Sequence, residues 1–125
     1  MDIYRQQILD HYKNPKNFGK LDNPDASFET GNPLCGDRIG IAVKVDKLKT
    51  VDCRLLAVKF WGDGCAISMA SASMLTEKVK GMKTEEIKKL TYEDIKEMLA
   101  IDLSPARIKC AMLSLEVLQK TIDLL

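Results

Sequence analysis

Ile39-Gly40-Ile41-Ala42-Val43-Lys44-Val45-Asp46 sets apolar side chains at every second position against small or charged ones. That is the period of a half-buried β-strand. Downstream, Val51 to Trp61 reads as its antiparallel partner across the Lys47-Leu48-Lys49-Thr50 connection. Upstream, Ala26 to Thr30 alternates more weakly and suits an edge strand, and the turn-forming run Gly31-Asn32-Pro33-Leu34-Cys35-Gly36-Asp37 joins the two as a loop. From Gly64 onward the period changes to that of helices. Ile67, Ala70, Met74, Leu75 and Val79 follow three-to-four spacing up to Gly81, which is placed to end that helix. Thr84 and Thr91 read as N-caps of two short helices with acidic first turns.

The last helix has Ser104 as cap, Pro105 at its first position, and an apolar stripe of Ile108, Met112, Leu115, Ile122 and Leu125. Before the strands, Asp2 to Tyr12 places Ile3, Gln7, Ile8 and His11 at helical spacing, and Asn14-Pro15 ends it. Strands gathered early and helices late predict an α+β fold: a small antiparallel three-stranded sheet packed with helices, as one domain over residues 1–125.

Composition excludes more than it names. The chain has 125 residues, 46% of them hydrophobic, enough for one core without disulfide staples. Nineteen basic and eighteen acidic side chains leave a net charge of +1, so charge points to neither nucleic acid nor an anionic membrane surface. No window approaches the ~20 apolar residues that span a bilayer, and the first residues form no apolar signal core, so the expected location is the cytoplasm. In a reducing compartment the four cysteines are expected as thiols, not disulfides.

Those cysteines separate by their surroundings. Cys53 falls on the same strand side as Val51, Leu55 and Ala57, where a small hydrophobe belongs. Cys35 lies in Cys-Gly-Asp, where glycine lets the backbone fold closely and Asp37 can reach the metal that the thiolate binds. Cys65 sits in Gly62-Asp63-Gly64-Cys65-Ala66-Ile67-Ser68, a turn opening into a helix whose positive end suits an anionic sulfur. Cys110 follows Arg107 and Lys109 near the start of the last helix, off its main apolar stripe. Their separations fit no zinc finger or ribbon, so tertiary folding must assemble any shared site.

Four ordered blocks carry a family resemblance: Asp10-His11-Tyr12-Lys13-Asn14-Pro15-Lys16-Asn17-Phe18-Gly19, Asn32-Pro33-Leu34-Cys35-Gly36-Asp37, Gly64-Cys65-Ala66-Ile67-Ser68 and Arg107-Ile108-Lys109-Cys110-Ala111. With them the chain resembles the IscU family of iron–sulfur scaffold proteins, related to the N-terminal part of NifU and to SufU. The resemblance implies a SufE/NifU-like sandwich. It also implies a non-enzymatic scaffold that takes sulfur from a cysteine desulfurase, builds a [2Fe–2S] cluster from that sulfur and iron, and passes it to apoproteins.

Cys35, Asp37, Cys65 and Cys110 would then be the metal set, with the three cysteines as candidate persulfide acceptors. A carboxylate oxygen is harder than a thiolate and exchanges more readily, which suits release of cargo. Tyr4 stands where such proteins often have an N-terminal tyrosine tied to dimer contact and sulfur handling, so a homodimer is a possible partner state.

Two departures shape the alternatives. IscU proteins have histidine directly before the third cysteine, whereas Lys109 stands here, as in SufU. An ammonium binds metal only after losing a proton, which costs free energy for a group of ordinary pKa ~10.4. Lys109 is therefore read as a cation supporting the thiolate. The SufU likeness brings a second function, a zinc-dependent sulfurtransferase with Zn²⁺ in the same ligand set, although the insertion SufU proteins carry between the second and third cysteines has no room here. A small structural zinc protein is a third. Leu103-Ser104-Pro105-Ala106-Arg107 also departs from the Leu-Pro-Pro-Val-Lys segment that a dedicated chaperone reads in bacterial IscU.

Cys110, Leu113, Val117 and Leu124 form a second apolar ridge on the last helix, opposite the first. Such a ridge meets either another segment of this chain or a partner, and the partner reading makes Val117→Glu a binding mutation. His11, the one histidine, is expected to be structural, and Trp61 to pack.

Overall fold

The alternating run at 39–45 becomes the central strand of a three-stranded antiparallel sheet with the order β1-β2-β3. The computed structural model describes residues 3–32, 36–46 and 53–125. Its elements run α1 (Ile3–Lys13), β1 (Ala26–Gly31), β2 (Arg38–Val45), β3 (Leu55–Asp63), α2 (Ala66–Val79), α3 (Thr84–Lys88), α4 (Tyr92–Leu99) and α5 (Pro105–Asp123). The α+β expectation holds, and β1 is an edge strand, with β3 at the other edge. Cys35, the Lys47–Thr50 connection, Val51 and the first residue of the expected N-terminal helix, Asp2, lie outside the described residues.

The sheet departs from simple alternation in two places. Gly40 and Ala42, expected on a solvated face, are buried with Ile39, Ile41 and Val43. The Trp61 ring lies across Gly40, where a Cβ would stand 2.2 Å from it, and Trp61 Nε1 donates to Glu29 Oε1 at 2.8 Å. Trp61 therefore packs, as expected, and covers the outer face of the sheet.

The second departure is at the start of β3. Lys44 pairs with Ala57 and Val45 with Leu55, so Leu56 is an extra residue, a β-bulge, and it is 65% exposed. The inward set is consequently Leu55, Val58 and Phe60 instead of Cys53, Leu55 and Ala57. Cys53 stands before the strand and is half-buried, its carbonyl accepting from the Thr84 N–H at 2.9 Å.

Helices cover one face of the sheet: α5 lies over β1 and β2, α2 over β3, and α2 is flanked by α1 and α5. Every residue of α2 from Ser68 to Thr76 is buried, not only one stripe. The run Met-Ala-Ser-Ala-Ser-Met-Leu-Thr makes this possible, because its small side chains let neighbours approach and its hydroxyls find partners. Ser71 Oγ donates to the Ala111 carbonyl of α5 at 2.7 Å and Thr76 Oγ1 to the Ala72 carbonyl at 2.8 Å. Gly81, at φ +77°, follows the end of this helix, and its N–H donates to the Leu55 carbonyl. Thr91 caps α4, whereas Lys83, not Thr84, is the residue capping α3.

Helix α5 corrects the partner reading of its second ridge. Cys110, Leu113 and Val117 are buried to 4%, 3% and 0% exposure and only Leu124, past the end of the helix, is exposed, while Ile108 and Met112 of the first stripe are only half-buried. With α2, the sheet, α3 and α4 all against it, α5 needs two apolar sides to serve one core. Val117→Glu would leave an unpaired carboxylate there, which costs several kcal/mol. The expected result is a melting temperature lower by on the order of 10 °C or more, readable by thermal circular dichroism.

On the other side of α2, His11 Nδ1 lies 2.6 Å from Ser73 Oγ, which also accepts the Lys16 N–H at 2.7 Å. A neutral imidazole accepting the Ser73 proton satisfies all three groups. Burial, and secondarily the Lys16 ammonium, hold the His11 pKa below its ordinary 6.5, against the weaker pull of Glu77 and Asp10. A depressed histidine pKa means that the unfolded chain binds the proton first as pH falls. The wild type is therefore expected to lose thermal stability from just above pH 6.5 downward, and His11→Gln to flatten that part of the profile.

Candidate metal centre

Three of the four expected ligands converge where β2 begins and where α2 and α5 start. The ligand atoms of Asp37, Cys65 and Cys110 all lie within 4.8 Å of one another. They form the one metal-capable group of three or more such side chains found among the described residues. Cys35, two residues before Asp37 in sequence, lies outside the described residues. The flanking backbone is tied closely: Asn32 N–H donates to the Asp37 carbonyl at 2.8 Å and Gly36 N–H to the Asn32 carbonyl at 2.9 Å.

Each side chain has a local reason for its position. Cys65 is the N-cap of α2, in extended conformation at φ −69° and ψ 169°, and its sulfur accepts from the Ser68 N–H at 3.5 Å. The unpaired N–H groups of a first helical turn favour an anionic partner, so a thiolate suits that place. Asp37 is only 4% exposed. Its Oδ1 accepts from the Cys65 N–H at 3.0 Å, and its Oδ2 accepts a short hydrogen bond from Ser68 Oγ and lies 3.7 Å from Cys65 Sγ. Cys110, in the second turn of α5 and off its first apolar stripe, is buried and faces this group.

The donor set fits a thiophilic metal. Ligands on a tetrahedron with metal–sulfur bonds of ~2.3 Å stand about 3.8 Å apart, so atoms already within 4.8 Å need only a small contraction. Thiolates with one carboxylate suit zinc or iron far better than the harder magnesium or calcium.

The supporting residues sit differently. Lys109 is exposed and lines an open cleft of about 380 Å³ with Asn32 and Leu113. Tyr4 is on α1, 46% exposed, and His11 is engaged with Ser73; neither belongs to the metal group. Two contributors were not singled out in the sequence. Ser68, three residues after the cap, touches both Asp37 and Cys65. Gly64 supplies space: a Cβ there would stand 2.9 Å from Asp37 Oδ1 and 3.2 Å from the Ser68 Cβ. A glycine directly before the cysteine was visible; the carboxylate packed on it comes from 27 residues upstream and was not.

The chain and its fold are similar to those of several known proteins. The family described as NifU-like N terminal domain matches residues 3–124. The zinc-dependent sulfurtransferase SufU of Bacillus subtilis is 40% identical over 96% of this chain and 89% of its own. The iron–sulfur cluster assembly scaffold protein IscU of Haemophilus influenzae is 34% identical over 95% of this chain and 92% of its own. Among solved structures, a SUF-system SufU from Fervidobacterium islandicum superposes with a TM-score of 0.79 at 27% identity, covering 94% of both chains.

Because the carboxylate packs directly on Gly64, Gly64→Ala is expected to displace Asp37 and not the helix. Zinc affinity, read by competition with a chromophoric chelator, should fall about 10-fold or more, the scale set by misplacing a ligand's support, with a smaller effect on the metal-free melting temperature.

Proposed function

The chain belongs to the NifU-like N-terminal domain family, and from that premise we propose that it is a single-domain scaffold on which iron–sulfur clusters are assembled. The observation that carries this reading is the convergence of Asp37, Cys65 and Cys110 at the starts of two helices, with Cys35 two positions before Asp37 in the sequence. In this reading the four residues hold iron and sulfide as cargo on its way to a [2Fe–2S] cluster, and the chain releases a finished cluster to apoproteins instead of turning over a substrate of its own. Sulfur arrives from a cysteine desulfurase as a persulfide. A thiolate among Cys35, Cys65 and Cys110 attacks the terminal sulfur, the desulfurase cysteine leaves as thiolate, and two electrons from a reductant later convert the transferred sulfur to sulfide. Asp37 is the ligand that lets go, since a carboxylate exchanges on these metals more readily than a thiolate.

Thiols that must stay reduced suit the cytoplasm. No helix among the described residues is long and apolar enough to cross a membrane. Lys109, an exposed cation one residue before Cys110, supports negative charge gathering at the site, and the exposed Tyr4 on α1 is available to a second copy or a donor protein.

A specific observation favours a second reading. Lysine, not histidine, precedes Cys110, and a relative at 40% identity is named a zinc-dependent sulfurtransferase. Three thiolates and a carboxylate satisfy tetrahedral Zn²⁺ as well as they satisfy iron. In that case zinc resides at the site and one cysteine accepts sulfur.

Anaerobic incubation with ferrous iron, cysteine and a desulfurase separates the two readings. The scaffold gives visible cluster absorbance that moves to an apoprotein. The sulfurtransferase gives faster desulfurase turnover by the zinc form with no cluster. For the scaffold, Asp37→Ala should slow cluster transfer about 10-fold, and transfer at the wild-type rate would remove Asp37 from the release step.

A further inference from the structure

Ser68 is 1% exposed and sits in the first turn of α2. The hydroxyl donates to Oδ2 of Asp37, 31 positions away and just before β2, and lies 3.4 Å from Cys65 Sγ. Asp37 is thereby held at two points, Oδ2 by this hydroxyl and Oδ1 by the Cys65 N–H at 3.0 Å, while Gly64 leaves the space the carboxylate occupies. Two hydrogen bonds to two different oxygens fix the rotation of a carboxylate, which one bond does not.

We propose that Ser68 is a positioning residue for metal capture, its hydroxyl fixing the Asp37 carboxylate so that it faces Cys65 and Cys110. This rests on the metal-site reading above and adds to it a group that is not itself a ligand. A carboxylate oxygen has two lone pairs, so accepting from Ser68 does not prevent the same group from binding metal. Hydrogen bonds to ligating carboxylates orient them and typically carry 10–100-fold of metal affinity. Ser68 is poorly suited to direct ligation beside two thiolates, because a neutral hydroxyl is a weak donor to zinc or ferrous iron. A purely capping role fits no better, since the hydroxyl reaches the carboxylate of Asp37 and the Cys65 sulfur already accepts the first-turn N–H.

The test compares wild type, Ser68→Ala, Ser68→Thr, Asp37→Ala and the Ser68→Ala/Asp37→Ala double variant. It reads zinc affinity by chelator competition, the d–d spectrum of the cobalt(II) form, and the melting temperature of the metal-free chain. Ser68→Ala should weaken zinc binding by about 10–100-fold and shift the cobalt bands, with the metal-free melting temperature within a few degrees of wild type. Ser68→Thr, which keeps the hydroxyl, should recover most of that loss, and the double variant should bind no more weakly than Asp37→Ala alone.

Wild-type affinity in Ser68→Ala, where Asp37→Ala is weakened, would overturn the positioning role and leave the metal-site reading standing. An equal penalty with and without Asp37 would also overturn it, as would a collapse of the metal-free melting temperature in Ser68→Ala. Wild-type affinity in Asp37→Ala would remove Asp37 from the site and both readings with it.

Discussion

Burial of α2 on every side from Ser68 to Thr76 is the constraint from which the rest of the molecule follows. A helix enclosed by α1, α5 and β3 cannot present ordinary polar residues, and it cannot be lined by large apolar ones if both flanking helices are to come close. Alanine, serine and threonine resolve the conflict, because each hydroxyl is small and each finds a hydrogen-bond partner within reach. No described buried side-chain nitrogen or oxygen lacks a hydrogen bond, so this polar lining leaves no unsatisfied group to offset the packing it permits.

The candidate metal centre is an outcome of that packing. Because α2 is fixed on all sides, its N-terminus is a fixed point, and Cys65 caps it where α5 brings Cys110 alongside. The Ser71 bond to the Ala111 carbonyl joins the two helices one residue beyond Cys110, which ties their relative height to the separation of the two sulfurs. The chain leaving β1 must then return to the central strand beside these cysteines, and Asp37, the residue just before β2, lands on the open N-terminus of α2. A buried carboxylate is tolerated there because a backbone N–H and a hydroxyl replace the water it has lost.

How much of this was legible depended on whether a signal was local. The central strand, the edge strand and the Ser104-Pro105 start of α5 could be read because each is written in adjacent residues. The bulge could not, since Leu56 is as apolar as its neighbours and gives no sign that the alternation changes phase. The two apolar sides of α5 were visible, but whether a second side meets a partner or the chain itself depends on how many elements surround the helix, which no single segment records. The same division applies at the site. Asp37, Cys65 and Cys110 came from motif likeness and local chemistry, whereas Ser68 looked like an unremarkable first-turn serine until a strand end 31 residues away was brought to it.

The asymmetry of α5 also gives the molecule a lever. Its C-terminal half is clamped, with Thr121 and Ile122 buried in the core and Gln119 donating to the carbonyls of Ile87 and Leu90, while Ser104 to Arg107 at its other end are exposed. Thr121 and Cys110 are 11 residues apart, about 16 Å along a helix. A rigid tilt of ~5° about the clamp would therefore carry the Cys110 sulfur through about 1.4 Å, more than half the length of a ~2.3 Å metal–sulfur bond. Anything that tilts α5 by its exposed first turn must first stretch the Ser71 bond to the Ala111 carbonyl, one residue beyond Cys110, so that single bond stands guard over the distance between the two sulfurs.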